Sequence, residues 1–253
     1  MPGQFEGKVA LVTGGNSGIG RAAAIKFAES GAKVVIAARR VPEGEETVDM
    51  IREAGGDAIF VKTDVSRTAD VEAMVARTIE AYGRLDCAFN NAGMTGSSGP
   101  PHEHSEDVWD DVMNVNLKGV WLCMKYEVPQ MLRTGGGAIV NDSSLAGLIA
   151  TRSQVAYVAS KHGVIGLTKS AALAYAGDGI RVNAVCPSWV GTPMISRLLD
   201  DPDRKAGLIA AHPVGRLGTP DEVAEAVLWL CSDAASFVTG HSMVVDGGML
   251  AGR

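Results

Sequence analysis

Short runs of β-branched and other apolar residues alternate with stretches of helical periodicity along the whole chain. The runs Lys8 to Thr13, Lys33 to Ala37, Ala58 to Thr63, Leu85 to Asn90, Ala138 to Ser143, Ile180 to Cys186 and Met243 to Val245 read as seven strands. Helical patterns start near Gly18, Glu43, Thr68, Ser105 and Gln154 between the first six, and near Asp221 before the last. Strand–helix alternation of this kind belongs to a parallel sheet covered by helices on both faces. A doubly wound α/β fold is predicted, with 1–253 as one domain, because no linker, repeat or low-complexity tract breaks the rhythm. Two irregular stretches, Met94 to His104 and Ser188 to Arg216, follow strand ends, where ligands sit in open parallel sheets. The second carries Trp189, Met194, Ile195, Leu198, Leu199 and Leu208, an apolar face that reads as core or as lid, and its position after a strand end favours a substrate lid over about 188–216.

Composition narrows the function. The chain has 253 residues, 46% of them apolar and 21% charged, enough to bury a sizeable core. Its formal charge of −6 comes without a basic tail or stripe, so neither nucleic acid nor an anionic membrane is an expected partner. No run of ~18 apolar residues could span a bilayer. Met1 to Gly7 lacks a basic n-region, and a cytoplasmic location is expected. Cys87, Cys123, Cys186 and Cys231 are far apart in apolar surroundings and read as buried free thiols. His102-x-His104 has no third ligand of matching context, so no metal site is expected and both rings should face solvent.

Directly after the first strand comes Thr13-Gly14-Gly15-Asn16-Ser17-Gly18-Ile19-Gly20, and Arg21-Ala22-Ala23-Ala24 then opens a helix. Glycines there let the backbone turn tightly and approach a pyrophosphate, whose charge is met by N–H groups and the dipole at the helix N-terminus. A glycine-rich turn without a ligand is the alternative reading. After the second strand, a dinucleotide site needs a carboxylate for the ribose diol or a cation for a 2′-phosphate. Ala38, Arg39 and Arg40 stand there, with no acid at the strand end, so NADP is favoured over NAD. Alternatively, the pair is simply solvated. Tyr157 and Lys161, four apart on a helical pattern, share one face. Bringing a phenol from ~10 to near 7 takes ~4 kcal/mol, much of which a neighbouring ammonium supplies against the opposing effect of burial. Taken alone, such a spacing is commonly a surface pair.

Thr13 to Gly20, Asn90-Asn91-Ala92-Gly93, Asn116, Ser144 and Tyr157-x-x-x-Lys161 occur in this order in one family, and the chain resembles a short-chain dehydrogenase/reductase. The resemblance runs from about Gly7 to Gly248. It implies a Rossmann-type, three-layer fold with strand order 3-2-1-4-5-6-7 and metal-free hydride transfer between a nicotinamide cofactor and a carbonyl or hydroxyl carbon. It further implies that Tyr157 exchanges the proton with the substrate oxygen and that Lys161 lowers its pKa and binds the nicotinamide ribose. Ser144 would bond the reacting oxygen, and Asn116 would hold a water linking Lys161 to a proton relay. The cofactor contacts it implies are Gly14, Asn16, Ser17, Gly18, Ile19 and Gly20 in the loop, Asp64 and Val65 at the adenine, and Asn91, Ala92 and Gly93 after the fourth strand. Pro187, Ser188, Val190 and Thr192 complete them beyond the sixth strand. Ser188 replaces the family's usual glycine after Pro187. Ser143, beside Ser144, reads as a hydroxyl spent on backbone in the turn.

An NADP(H)-preferring carbonyl reductase or alcohol dehydrogenase is therefore expected, with NAD(H) possible and a small ketone or secondary alcohol with apolar substituents as substrate. A 3-oxoacyl-carrier reductase, a glucose-type sugar dehydrogenase and a catalytically silent NADP(H) sensor are the alternatives. From Gln154 to Ala176 the only charged residues are Lys161 and Lys169. A helix apolar nearly all round is normally covered on both sides, which predicts a second subunit against it. The resemblance implies a homotetramer, with a dimer as the alternative.

Overall fold

The computed structural model describes residues 3–252. Seven strands, β1 (Val9–Thr13), β2 (Lys33–Ala38), β3 (Asp57–Lys62), β4 (Cys87–Asn90), β5 (Gly137–Asp142), β6 (Ile180–Pro187) and β7 (Ser242–Val245), form one sheet in the order β3-β2-β1-β4-β5-β6-β7. Every pairing is parallel, so each connection must cross over, and helices do so on both faces. The helices are α1 (Gly18–Glu29), α2 (Val41–Glu53), α3 (Thr68–Tyr82), α4 (Glu106–Met113), α5 (Gly119–Arg133), α6 (Val155–Tyr175), α7 (Ser196–Leu199), α8 (Pro202–Ala210) and α9 (Pro220–Cys231). No helix among the described residues is long and apolar enough to cross a membrane.

Two cores flank the sheet, as strand geometry requires. Alternate residues of one strand point to opposite faces, so Val12, Ile36 and Phe89 pack with Phe27, Val48, Ile51 and Val227 of α1, α2 and α9. Their neighbours Leu11, Val35 and Ala88 pack with Met74, Leu122, Met131 and Val164 of α3, α5 and α6. All four cysteines are buried free thiols.

The structure moves several predicted boundaries. Strand β4 starts at Cys87, because the Asp86 carboxylate accepts from the Val9 amide (2.9 Å) and from Arg84, closing a turn where Leu85 was expected to be strand. The helical pattern from Ser105 is interrupted by a π-turn at Asn114–Lys118 between α4 and α5. The stretch Ser188 to Arg216 is largely helical rather than irregular. Asp201 caps α8 by accepting from the Asp203 and Arg204 amides, with Pro202 at the first helical position, a start signal the sequence contains.

Candidate active site

The carboxyl ends of β1, β2, β4, β5 and β6 open into one cleft of about 570 Å³ that runs from the glycine loop to Tyr157. At its first end, Gly14 (φ +66°) and Gly18 (φ +53°) adopt left-handed backbone, and the Gly14 amide bonds the Ala37 carbonyl at 2.7 Å. Gly20 lies against β1 so closely that a Cβ would collide with the Gly14 carbonyl oxygen and the Asn91 amide. That approach aims the N-terminus of α1 at the cleft, and Asn16, Ser17, Gly18 and Ile19 line it. Gly20 is packing rather than wall.

Arg39 and Arg40 both reach the cleft from the end of β2. Arg40 is fixed: the Asn16 side-chain oxygen, with the amide oriented by this network, accepts from its Nε (3.0 Å) and Nη2 (2.8 Å). Its Nη2 also lies 3.3 Å from Ser17 Oγ, and Glu43 pairs with its Nε at 3.0 Å. Across from it, Asp64 and Val65 line the cleft after β3. Burial pushes the Asp64 carboxyl up, but bonds from the Ser66 hydroxyl and amide, with the charges of Arg39 and Arg67, outweigh it and hold the group below its usual range.

Thr13 ties β1 to the β4 exit, its hydroxyl accepting from the amides of Asn91 (2.9 Å) and Ala92 (3.1 Å). Asn91 returns a bond to the Thr13 carbonyl. Asn91, Ala92 and Gly93 line the cleft. A Cβ on Gly93 would come within 3.8 Å of Lys161 Nζ, so glycine leaves the space beside that ammonium open.

Ser144, Tyr157 and Lys161 meet at the second end of the cleft. Ser144 follows β5, and its Oγ accepts from the Ala146 amide at 3.1 Å. Ser143 instead donates to the Lys161 backbone carbonyl at 2.9 Å: its hydroxyl is spent on backbone as expected, but on α6 rather than in its own turn. On α6, Lys161 Nζ lies 5.5 Å from the Tyr157 ring centroid. Lys161 is buried, which opposes its charge, yet the Asp142 carboxylate and the Tyr157 phenol acting on it raise its pKa. Asp142 escaped the sequence reading. Its Oδ2 accepts from Nζ at 3.0 Å and its backbone carbonyl at 2.7 Å. An acid closing the buried strand β5 was the available signal, since a buried carboxylate needs a partner.

Asn116 is behind the wall rather than on it. Carried inward by the π-turn, its amide pairs with both backbone groups of Met94 (2.9 and 2.8 Å) and donates to Ser160 Oγ at 3.2 Å. Its side chain thus holds the Gly93–Met94 loop against α6. Pro187 at the end of β6 and Ser188, Val190 and Thr192 beyond it line the cleft, with Thr192 packed against Gly18. The remaining wall is mostly apolar, with Met94, Leu145, Ile149, Trp189, Met194, Ile195 and Met249. Leu198, Leu199 and Leu208 are half-buried and lie outside it. His102 is exposed. His104, expected to face solvent, instead binds its own loop through Ser97 Oγ (3.3 Å) and the Gly99 carbonyl (3.0 Å).

These residues fit a dinucleotide: glycines whose missing Cβ atoms shape the loop, a helix N-terminus and two guanidinium groups at one end, and an ammonium beside open space at the other. The arrangement can hold a phosphorylated cofactor along the strand ends and present a hydroxyl, a phenol and an ammonium to a substrate oxygen. A family model described as enoyl-(acyl carrier protein) reductase matches residues 14–250. The chain is 45% identical over 247 residues to cyclohexanol dehydrogenase of Acinetobacter sp. (strain SE19), covering 98% of this chain and 96% of that relative. It is 44% identical over 248 residues to the A-factor type gamma-butyrolactone 1'-reductase (1S-forming) of Streptomyces virginiae, covering 97% and 96%. Among solved structures, levodione reductase superposes with a TM-score of 0.95 at 36% identity, covering 98% of this chain and 100% of that one. The chain belongs to the short-chain dehydrogenase/reductase family of nicotinamide-dependent oxidoreductases, and the relatives it matches are named as dehydrogenases and reductases.

Proposed function

We propose that this protein is an NADP(H)-preferring oxidoreductase acting on a ketone or secondary alcohol with apolar substituents. The observation that carries this reading is the continuity of one cleft, from Arg39, Arg40 and the glycine loop to Ser144, Tyr157 and Lys161. The bound nicotinamide supplies or accepts the hydride at the substrate carbon. Ser144 bonds the substrate oxygen, and Tyr157 gives it a proton in reduction or takes one in oxidation. Lys161 stabilises the phenolate, and Asn116 positions the Gly93–Met94 loop. Arg39 and Arg40 supply the cations that a 2′-phosphate requires, with no acid at the β2 end to favour a free diol.

The apolar wall argues against a sugar, whose hydroxyls would need polar partners, and suits ring substrates of the kind named for the cyclohexanol relative. The segment 188–216 serves as the substrate lid, through its cleft-lining first part from Ser188 to Ile195. A second copy of this chain covers the outer face of α6, where Leu173 is 87% exposed and Gly166 faces open space. A spectrophotometric screen of NADPH oxidation against cyclic and open-chain ketones tests the whole reading. Turnover of at least one apolar ketone is expected, whereas silence with firm NADPH binding would favour a sensor.

A further inference from the structure

The Asp142–Lys161 contact is an ion pair out of solvent: the side chains are 14% and 3% exposed, with Nζ 3.0 Å from Oδ2. The second carboxylate oxygen, Oδ1, is buried without any partner. A half-satisfied buried carboxylate is costly, and its place at the end of β5, facing the cleft, is a reason to look for a role in the chemistry. Two of the three ammonium protons go to Asp142, to its carboxylate and its backbone carbonyl.

We infer that Asp142 is a positioning residue that holds Lys161 and offsets its charge beside the Tyr157 hydroxyl, biasing the site towards carbonyl reduction. This rests on the proposed roles of Tyr157 and Lys161. The ammonium draws the phenol towards phenolate, and the carboxylate on the same ammonium opposes it. Removing the buried negative charge would leave the ammonium's positive charge unopposed beside the phenol, which favours loss of a proton from the site at lower pH. Reduction delivers hydride from the nicotinamide to the carbonyl carbon and a proton from Tyr157 to the oxygen, so it needs the protonated phenol. Oxidation runs the same transfers backwards and needs the phenolate.

The charged and titratable groups around the cluster are few. Asp142 on β5, Tyr157 on α6 and Cys186 on β6 are those that act on Lys161, and burial holds the Cys186 thiol up at about 11. His162 on α6 is solvent-exposed. So are Lys169 of α6, Glu106, Asp107, Asp110 and Asp111 of α4, Lys118 of the π-turn and Asp178 of the short turn that follows α6, while Arg181 of β6 is half-buried and the turn at 145–147 carries no charge.

The test is the pH profile of kcat/KM in both directions for wild type, Asp142→Asn and Tyr157→Phe. Asparagine can keep an oxygen on Nζ but carries no charge. In Asp142→Asn the acidic limb of oxidation and the alkaline limb of reduction should both move to lower pH, by about one unit. Should the amide variant not fold, Asp142→Ser, which keeps the backbone acceptor, should shift the limbs the same way. Profiles that overlay the wild type after scaling, or move to higher pH, overturn the inference. Tyr157→Phe separates the two readings: if it stays active, the catalytic assignment itself has failed. If it is inactive and the Asp142 limbs do not move, only the role of Asp142 has.

Discussion

Ser188 Oγ lies 2.7 Å from His212 Nε2, joining the exit of β6 to the segment that follows α8. His212 is buried, and its other ring nitrogen bonds the Leu208 carbonyl at 2.8 Å. A carbonyl only accepts, so Nδ1 carries the proton and Nε2 accepts from the serine. The serine that stands where the family usually has glycine therefore ties the cleft wall to the far end of the lid segment. Ser188→Ala should leave a buried acceptor unpaired and cost about 1–3 kcal/mol in urea unfolding. A change below a few tenths of a kcal/mol would show that the link carries no weight.

Tyr157→Phe should keep the fold and NADPH binding, because the ring still packs beside Lys161 while the hydroxyl is lost. Turnover should fall by ~10²–10⁴-fold, the usual loss of a general acid/base. Retention of more than a tenth of the wild-type rate, where chemistry is rate-limiting, would remove Tyr157 from its role.

Cofactor choice rests on Arg39 and Arg40, which the structure makes unequal. Arg40 also braces Asn16 and Ser17, so Arg40→Ala should disturb the glycine loop as well as any phosphate contact. Arg39→Ala is the cleaner probe. It should weaken NADPH by roughly 10- to 150-fold while barely touching NADH. The double variant should lose most preference, and adding Ala38→Asp should turn it towards NADH. Comparison of kcat/KM with both cofactors at fixed ionic strength decides, and a double variant that still prefers NADPH would refute the assignment.

Glu127 on α5 is fully buried, with Asn90 Nδ2 donating to its Oε2 at 3.1 Å. Burial pushes its pKa from 4.5 up to about 7, and the Asn90 bond pulls the other way. A folded-state value above the unfolded one contributes stability that is complete below about pH 4.5 and lost as pH rises through about 7. Glu127→Gln, neutral throughout, should escape that loss. Its advantage over wild type should grow across this window to roughly 3 kcal/mol at pH 8. Melting temperatures followed from pH 5 to 8 check this, and parallel curves for the two proteins would contradict it.

Assembly is the fifth expectation. Light scattering at micromolar concentration should return four times the monomer mass, or twice it, with Leu173→Glu shifting the distribution towards monomer. A stable wild-type monomer would show that the outer face of α6 needs no cover.

The sequence by itself determined the seven strands, their order by family resemblance, and most of the residues that line the cleft, though not Asp142 and not the place of Asn116 behind its wall. Apolar runs of strand length and glycines at a strand–helix junction express local physics, and local physics is written in neighbouring residues. Only the tertiary structure decided which side chains share the same few ångströms. Asp142 lies 19 positions from Lys161 and Ser188 lies 24 from His212. No periodicity links such residues, because each pair is brought together by a crossover between elements. The π-turn that sends Asn116 behind the cleft wall, and the network that commits Arg40 to the glycine loop, have the same origin. A buried polar group takes whichever partner the packed chain puts within reach.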